Sequence, residues 1–184
     1  MASIGFVLFE TAIGVYRGAV KRLGPEHALQ FALPLARANL AAGRITSARL
    51  AALRGAQTPG SALEWHRILA ATRLASNEPE TAISGLLELA KQRGAGVLGA
   101  PELEILARAS ARLPDSPELR RLLHSRLREL ERASEVGPRE KLGLAALLAA
   151  RRWRMAGGRR EAVELYGLAF RSLPDGALRS QAGY

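Results

Sequence analysis

A proline with a glutamate beside it recurs along this chain, and each such pair is typical of the start of an α-helix. A proline in the first helical turn loses no useful hydrogen bond, because the N–H at that position has no acceptor within the helix. A glutamate there is stabilised by the positive end of the helix dipole. The pattern occurs at Gly24-Pro25-Glu26, Glu78-Pro79-Glu80, Ala100-Pro101-Glu102 and Ser116-Pro117-Glu118, with a variant at Gly137-Pro138-Arg139-Glu140.

Between these starts, apolar residues return at steps of three and four, which is the spacing of one helix face. Alanine (34 residues) and leucine (31) make up more than a third of the 184 residues, and both are strong helix formers. We therefore expect an all-α protein. The pattern predicts nine helices, at 4–22, 26–42, 46–56, 62–75, 79–93, 101–113, 117–133, 138–156 and 159–172, with Pro34 kinking or splitting the second and Ser61 to Glu64 forming a capping box.

The sequence repeats at an offset of 34 residues. At this offset the turn residue Gly43 falls on Asn77, and five apolar residues fall on identical ones: Leu35, Ala36, Leu40, Ala41 and Ala48 on Leu69, Ala70, Leu74, Ala75 and Ala82. Small residues allow paired helices to approach closely at two sets of positions: Ala36, Ala70, Ala107 and Ala150, and, one helix later, Ala48, Ala82 and Ala162. A hairpin of two such helices buries only part of its apolar surface, so neighbouring hairpins must stack. The alternative is a non-repetitive helical bundle.

The last helix pair carries the clearest version of the repeat, in the spacing of Trp153, Gly157, Ala162, Tyr166, Ala169 and Pro174. This run resembles the tetratricopeptide repeat, closely over 138–175, less so over 26–93 and weakly over 94–134. The resemblance implies a right-handed α-solenoid of stacked antiparallel helix hairpins over 25–175. Residues 1–24 would then be an apolar helix that caps the fold or docks a partner, and 176–184 a flexible tail.

Composition and motifs exclude most catalytic chemistry. The chain has no cysteine, which rules out disulfides, zinc–thiolate sites and thiol nucleophiles. Its three histidines (His27, His66 and His124) fall on different predicted helices, so no pair of metal ligands is indicated. Gly94 to Gly99 matches G-x-G-x-x-G but lacks the strands of a dinucleotide site, so we interpret it as a flexible loop between hairpins. We therefore expect no catalytic residues, metal, cofactor or small-molecule substrate, and no enzyme.

The net charge of +10 is the strongest hint about partners, and 24 of the 27 basic residues are arginine. Such a balance suits an acidic protein, a nucleic acid or an anionic membrane surface, or it reflects a coding bias toward arginine. The apolar stretch within residues 4–22 is too short to span a bilayer and contains Glu10, but membrane contact through this helix stays an alternative to packing.

The resemblance also implies a binding groove, because the first helix of each tetratricopeptide hairpin lines the concave surface. Carried over position by position, it places Arg37, Arg108 and Arg151 at one equivalent groove position, with Arg67, Arg112 and Arg154 at others, interleaved with Leu33, Leu40, Leu74 and Leu147. Guanidinium groups bind carboxylates in bidentate fashion, so such a groove suits an acidic peptide. The alternative is that these arginines are solvated surface residues whose stems pack on the helices.

Three functions follow from these features. The leading one is a non-enzymatic adaptor or scaffold that binds a protein or acidic peptide in the basic groove. The second is a basic nucleic-acid-binding helical protein. The third is an assembly subunit of a larger, membrane-associated or soluble complex that docks through its N-terminal helix. Composition suggests a GC-rich bacterial source and, without an export signal, a cytoplasmic location.

Overall fold

The computed structural model describes residues 4–23, 28–57, 63–133 and 139–183. These residues form α-helices joined by short turns, with no strand among them. The chain forms two compact units. Unit 1 is Met1–Glu78 and unit 2 is Pro79–Tyr184. The helices are α1 (Ile4–Leu23), α2 (Ala28–Ala41), α3 (Ile45–Ala56), α4 (Leu63–Ala75), α5 (Pro79–Arg93), α6 (Ala100–Ser110), α7 (Pro117–Arg132), α8 (Arg139–Met155), α9 (Arg159–Ser172) and α10 (Ala177–Ala182).

In unit 1 each helix packs on the next, and α2 also contacts α4. One hydrophobic cluster joins α1 to the end of α2 and contains Ile13, Ala38 and Ala42. A second cluster, formed by α2, α3 and α4, contains Ala36, Ala48, Ala52, Ile68 and Leu69. An ion pair between Glu10 and Arg44 also joins α1 to the turn before α3. The N-terminal helix is therefore packed against the rest of its unit.

In unit 2 the helices again pack on their neighbours along the chain, and helices two apart also meet, α6 with α8 and α7 with α9. Leucines and alanines form the core in nearly equal numbers, and the most completely enclosed leucines are Leu86, Leu98, Leu103, Leu106, Leu123, Leu127, Leu147, Leu165 and Leu168. Contact between alternate helices is what stacking of successive hairpins requires.

Small residues at the predicted close approaches are buried. The seven alanines predicted at the close approaches are at most 3% exposed (Ala36, Ala48, Ala70, Ala82, Ala107, Ala150 and Ala162), whereas Ala41 and Ala75, which also repeat at the offset of 34, are exposed. The same logic extends to glycine, because a Cβ on Gly55 in α3 would lie 2.2 Å from the ring of Trp65 in α4. Trp153 packs in the same way against Gly158. Trp65 thus packs α4 on α3, and Trp153 of α8 packs on the start of α9.

Three helix-to-helix turns share one backbone geometry. Gly43, Asn77 and Gly157 have φ values of +72°, +60° and +83°. In each turn the next residue's N–H returns to a carbonyl five residues back, as from Glu78 to Arg73 at 2.9 Å. This is the Schellman ending, which favours glycine or asparagine at the left-handed position. The phase of Gly43 and Asn77 in the sequence therefore reflects a shared turn.

The helix starts follow the proline signal where the structure describes them. Pro79 and Pro117 are the first residues of α5 and α7, and Pro101 is the second residue of α6. The carboxylate of Glu102, fully buried, accepts the N–H of Gly99 at 3.1 Å. Pro25, Pro138 and the capping serine predicted at Ser61 lie outside the described residues.

Two expectations differ from the structure and a third differs in part. Pro34 does not split α2, which runs unbroken from Ala28 to Ala41, and the kink predicted as the alternative stays a prediction. The tail expected to be flexible at 176–184 contains the short helix α10, which packs on α9 and buries Ala182. The Gly94–Gly99 loop holds a turn of 3₁₀ helix at Ala95–Val97 and is anchored, because Leu98 is buried and the guanidinium of Arg126 donates to the carbonyls of Gly96 and Leu98, each at 3.3 Å.

Candidate functional site

Unit 1 brings its two predicted groove arginines to one carboxylate. Glu64, in the first turn of α4, forms an ion pair with Arg37 of α2 and lies 3.6 Å from Arg67 of its own helix. The side chain of Arg37 is about half exposed (53%). One acid between two bases leaves a net positive charge at this surface, and exposed pairs of this kind contribute little stability. These guanidinium groups can therefore exchange Glu64 for another carboxylate at small cost.

The predicted groove leucines of unit 1 differ in accessibility. Leu33 and Leu40 are half-buried and pack against the cluster around Ala36, so each retains some exposed surface. Leu74 is only 7% exposed and belongs to the core. Leu33 and Leu40 can contact a partner, whereas Leu74 has almost no surface to offer.

Unit 2 places the other four arginines on the packed helices α6 and α8 and the turn after α6, and we call this set the basic face (Arg108, Arg112, Arg151 and Arg154). All four are exposed. Glu104 lies 2.8 Å from Arg108 and 3.7 Å from Lys141 of α8, so a single carboxylate again stands between two bases. Arg151 donates to the side-chain oxygen of Gln181 in α10 at 2.5 Å.

Leu147, the groove leucine predicted in unit 2, is 1% exposed and belongs to the core. Leu147 therefore has almost no surface to offer a partner at the basic face. The mismatch has a simple cause. Position in a repeat fixes the side of a helix, but the neighbouring helices decide how deep a side chain lies.

Sequence reasoning missed the role of Arg152, which stands in the densest basic group of the chain. Its guanidinium donates to the carbonyls of Ser110 and Leu113 at the end of α6. The carbonyl of Ser110 also accepts the N–H of Leu113 at 3.2 Å, so Arg152 adds a charged donor to this turn and acts as a C-terminal cap of α6. The signal that could have indicated this is Pro114, which replaces the turn glycine and leaves this turn without the Schellman ending.

A polar cluster joins α7 to α9 elsewhere in unit 2. Glu164 of α9 forms an ion pair with Arg128, lies 3.3 Å from Nε2 of His124, and lies 3.5 Å from Nε of Arg160. Loss of solvation raises the pKa of Glu164, but attraction to Arg128 and hydrogen bonding to His124 and Arg160 outweigh it and hold the pKa below its ordinary value. The cluster borders a cleft of about 450 Å³.

Metal-binding and membrane-spanning features are absent from the part of the chain that the structure describes. No group of three or more His, Asp or Glu side chains there could hold a metal ion. His66 and His124 lie on separate helices, and His27 is outside the described ranges. No helix within those ranges is long and apolar enough to cross a membrane.

Comparison with known proteins assigns the chain to no family. The chain matches no protein-family model, no curated protein and no solved structure. The tetratricopeptide resemblance thus stays a prediction from the residues that carry it.

Proposed function

We propose that this chain is a non-enzymatic adaptor or scaffold that binds an acidic peptide, or an acidic segment of a protein partner, through its basic arginine surfaces. The observation that carries the proposal is the basic face: its four arginines are exposed, and they lie on α6 and α8, which pack on each other, and on the turn after α6. Guanidinium groups held on helices bind carboxylates with a planar fork and lose less freedom than lysines would.

The fold we propose for this function is a tetratricopeptide-like, right-handed solenoid. Three features support it: the shared turn geometry at Gly43, Asn77 and Gly157, the buried repeat alanines, and the contacts between alternate helices within each unit. In such a stack the first helices of the hairpins line one surface. Arg108 and Arg151 would then occupy equivalent positions on this surface within unit 2, and Arg37 would occupy the corresponding position of its own hairpin in unit 1.

Charge by itself does not choose between a carboxylate and a phosphate partner. Unit 1 contains nine basic and four acidic residues and unit 2 contains eighteen and thirteen, so each carries +5. Few aromatic side chains of the described residues offer a free ring to a base. Trp65 and Trp153 pack against Gly55 and Gly158, and the ring of Phe170 is covered by the guanidinium of Arg179 at 4.5 Å, whereas Phe9 of α1 is exposed. We therefore favour an acidic peptide and treat nucleic acid as the competing outcome.

The test measures binding of fluorescent peptides of about twelve residues, graded in Glu and Asp content, and of a single-stranded RNA of similar length, at about 150 mM salt. Affinity should rise with the number of carboxylates. The triple variant Arg108→Ala, Arg151→Ala, Arg154→Ala should weaken peptide binding by about tenfold or more, because tenfold corresponds to only about 1.4 kcal/mol.

The matched control removes the same charge from exposed arginines outside the basic face, with Arg121→Ala, Arg132→Ala and Arg139→Ala. It should weaken binding far less than the first triple variant. Equal losses in the two variants would mean a diffuse charge effect and would remove the site. An RNA that binds more tightly than every acidic peptide would replace the adaptor proposal with the nucleic-acid function.

A further inference from the structure

A second surface of unit 2, which the basic face does not include, has the opposite character. Helices α5 and α7 face each other across a cleft of about 390 Å³, closed at one end by the turn between α6 and α7. Its walls are apolar. Ile83 and Leu87 stand one turn apart on α5, opposite Leu119 and Leu122 on α7, and Leu113 lies in the turn.

The three serines that line this α5–α7 cleft already form hydrogen bonds within the chain. The hydroxyl of Ser84 donates to the carbonyl of Thr81 at 3.3 Å, and that of Ser110 donates to Ala107 at 2.8 Å. The hydroxyl of Ser116 accepts the N–H of Leu119 at 3.3 Å. The buried Nε of Arg120 is the exception, because it lies 2.9 Å from Asp115 without forming a hydrogen bond. A cleft with apolar walls whose hydroxyls need no further partner favours an occupant that fills it with apolar side chains.

Charge at the rim is the reverse of the charge of the whole chain. Glu80 and Glu118, in the first turns of α5 and α7, are exposed, and so is Asp115. The two cations that reach the cleft are engaged inside it. Arg120 lies 2.9 Å from Asp115 with its guanidinium 4.6 Å above the ring of Trp153, and Arg152 caps α6. A partner at this rim therefore meets the negative charge of the exposed carboxylates.

We infer that the α5–α7 cleft binds an amphipathic helical segment of a partner protein that carries two large apolar side chains about one turn apart with lysine or arginine beside them. The apolar pair fills the cleft between Ile83, Leu87 and Leu122. The flanking cations pair with Glu80 and Glu118, which excludes acidic segments by like-charge repulsion. Glu80 and Glu118 also interact favourably with the positive ends of their own helix dipoles. This role is compatible with pairing to a partner's cations, because both carboxylates stay exposed at the first turn. This site would serve a partner of opposite charge to the one proposed for the basic face.

The test selects, from a displayed library of helical peptides, those that bind the 184-residue chain. Peptides that also bind the double variant Glu80→Lys, Glu118→Lys are removed by counter-selection. The expected winners carry two large apolar residues three or four positions apart and at least one lysine or arginine beside them. No enrichment, or enrichment of sequences without basic residues, would overturn the inference. Binding of a small apolar dye without any enriched peptide would assign the cleft to a small molecule instead.

The affinities of an enriched peptide for wild type and for a set of variants then show where on the chain the peptide binds. The Glu80→Lys, Glu118→Lys variant should bind at least tenfold more weakly, and Glu80→Gln with Glu118→Gln should fall between it and wild type. The control pair Glu88→Lys, Glu140→Lys, at exposed positions that do not line the cleft, should stay within twofold. Circular dichroism confirms that all three variants stay folded. A peptide that the Arg108, Arg151 and Arg154 triple variant weakens as strongly would belong to the basic face, and the cleft would lose its assignment.

Discussion

Two adjacent arginines illustrate how one helix position separates binding from stability. Arg151 is exposed and contacts Gln181, whereas Arg152 bonds two carbonyls at the end of α6. We expect Arg152→Ala to lower the free energy of unfolding by about 1.5–3 kcal/mol, because it leaves partly buried carbonyls without their charged donor. Arg151→Ala should change it by no more than about 0.5 kcal/mol. Urea unfolding followed by circular dichroism measures both.

Arg152→Lys refines this comparison. Lysine keeps the charge but lacks the planar fork that reaches Ser110 and Leu113 together, so its stability should lie between those of wild type and Arg152→Ala. Equal unfolding midpoints for the Arg151→Ala and Arg152→Ala variants would show that the cap contributes nothing.

A glycine in α8 marks another close approach. A Cβ on Gly143 would lie 2.8 Å from Cγ of Leu173 and 3.0 Å from its backbone nitrogen. The backbone atom cannot rotate away, so Gly143→Ala should destabilise the protein by about 1–3 kcal/mol through overpacking. Thermal unfolding measures the change.

Gly167→Ala is the matched control for Gly143→Ala. A Cβ there meets only the end of the Arg171 side chain at 3.2 Å, which can move aside. Because alanine favours helix over glycine, this variant should be neutral or more stable by up to about 1 kcal/mol. A loss of stability at Gly167 as large as that at Gly143 would contradict the steric explanation.

At the scale of residues, the sequence predicts which positions hold turns and small packing residues better than it predicts how deeply a side chain is buried. The turn glycines and the small repeat residues are required by local geometry, so Gly43, Asn77 and the buried alanines could be identified from spacing. Whether an arginine or leucine on the same helix is buried depends on the neighbouring elements. Leu147 and Arg152 could therefore not be told apart from residues that face solvent.

At the scale of helices, two carboxylates join α7 to α9: Glu164 of α9 forms an ion pair with Arg128, and Glu131 of α7 forms one with Arg171. Glu164 has a lowered pKa because of Arg128 and His124, despite loss of solvation. A lowered pKa contributes stability that is fully present above the ordinary value and is lost as pH falls through the value in the folded state. We expect wild type to lose more stability than Glu164→Gln when pH falls from about 6 to about 3, as measured by urea unfolding at each pH.

Glu140→Gln, at an exposed position in the first turn of α8, controls for the removal of one negative charge. Its pH profile should follow wild type more closely than that of Glu164→Gln. Identical profiles for Glu164→Gln and wild type would mean that the cluster between α7 and α9 contributes no acid sensitivity.

The helices themselves were predictable to within about three residues, since periodicity and start signals are local. The tenth helix was not. Residues Ala177–Ala182 have no proline start and are too short to form a stable helix alone, so their structure depends on contact with α9. The anchored loop after α5 also depends on a distant residue, Arg126, which lies on a helix further along the chain.

At the scale of the whole molecule, the two units differ in how they are filled. Of the largest side chains that are almost fully buried among the described residues, Ile13 and Thr72 belong to unit 1, and the others belong to unit 2. The second cluster of unit 1 includes three alanines, which bury less apolar area than leucines. Since stabilisation scales with the apolar area removed from water, unit 2 should be the more stable of the two.

Native-state hydrogen exchange tests this difference. We expect the slowest amides in α6 and α8, around Leu106 and Leu147, and faster exchange in α2 and α3 of unit 1. Leu106→Ala creates a cavity in unit 2 and should cost about 2–5 kcal/mol there. If the units open separately, this variant accelerates exchange throughout unit 2 and leaves unit 1 unchanged. Equal acceleration in both units would show that they unfold as one cooperative body, and a partner bound to either would then stabilise the whole chain.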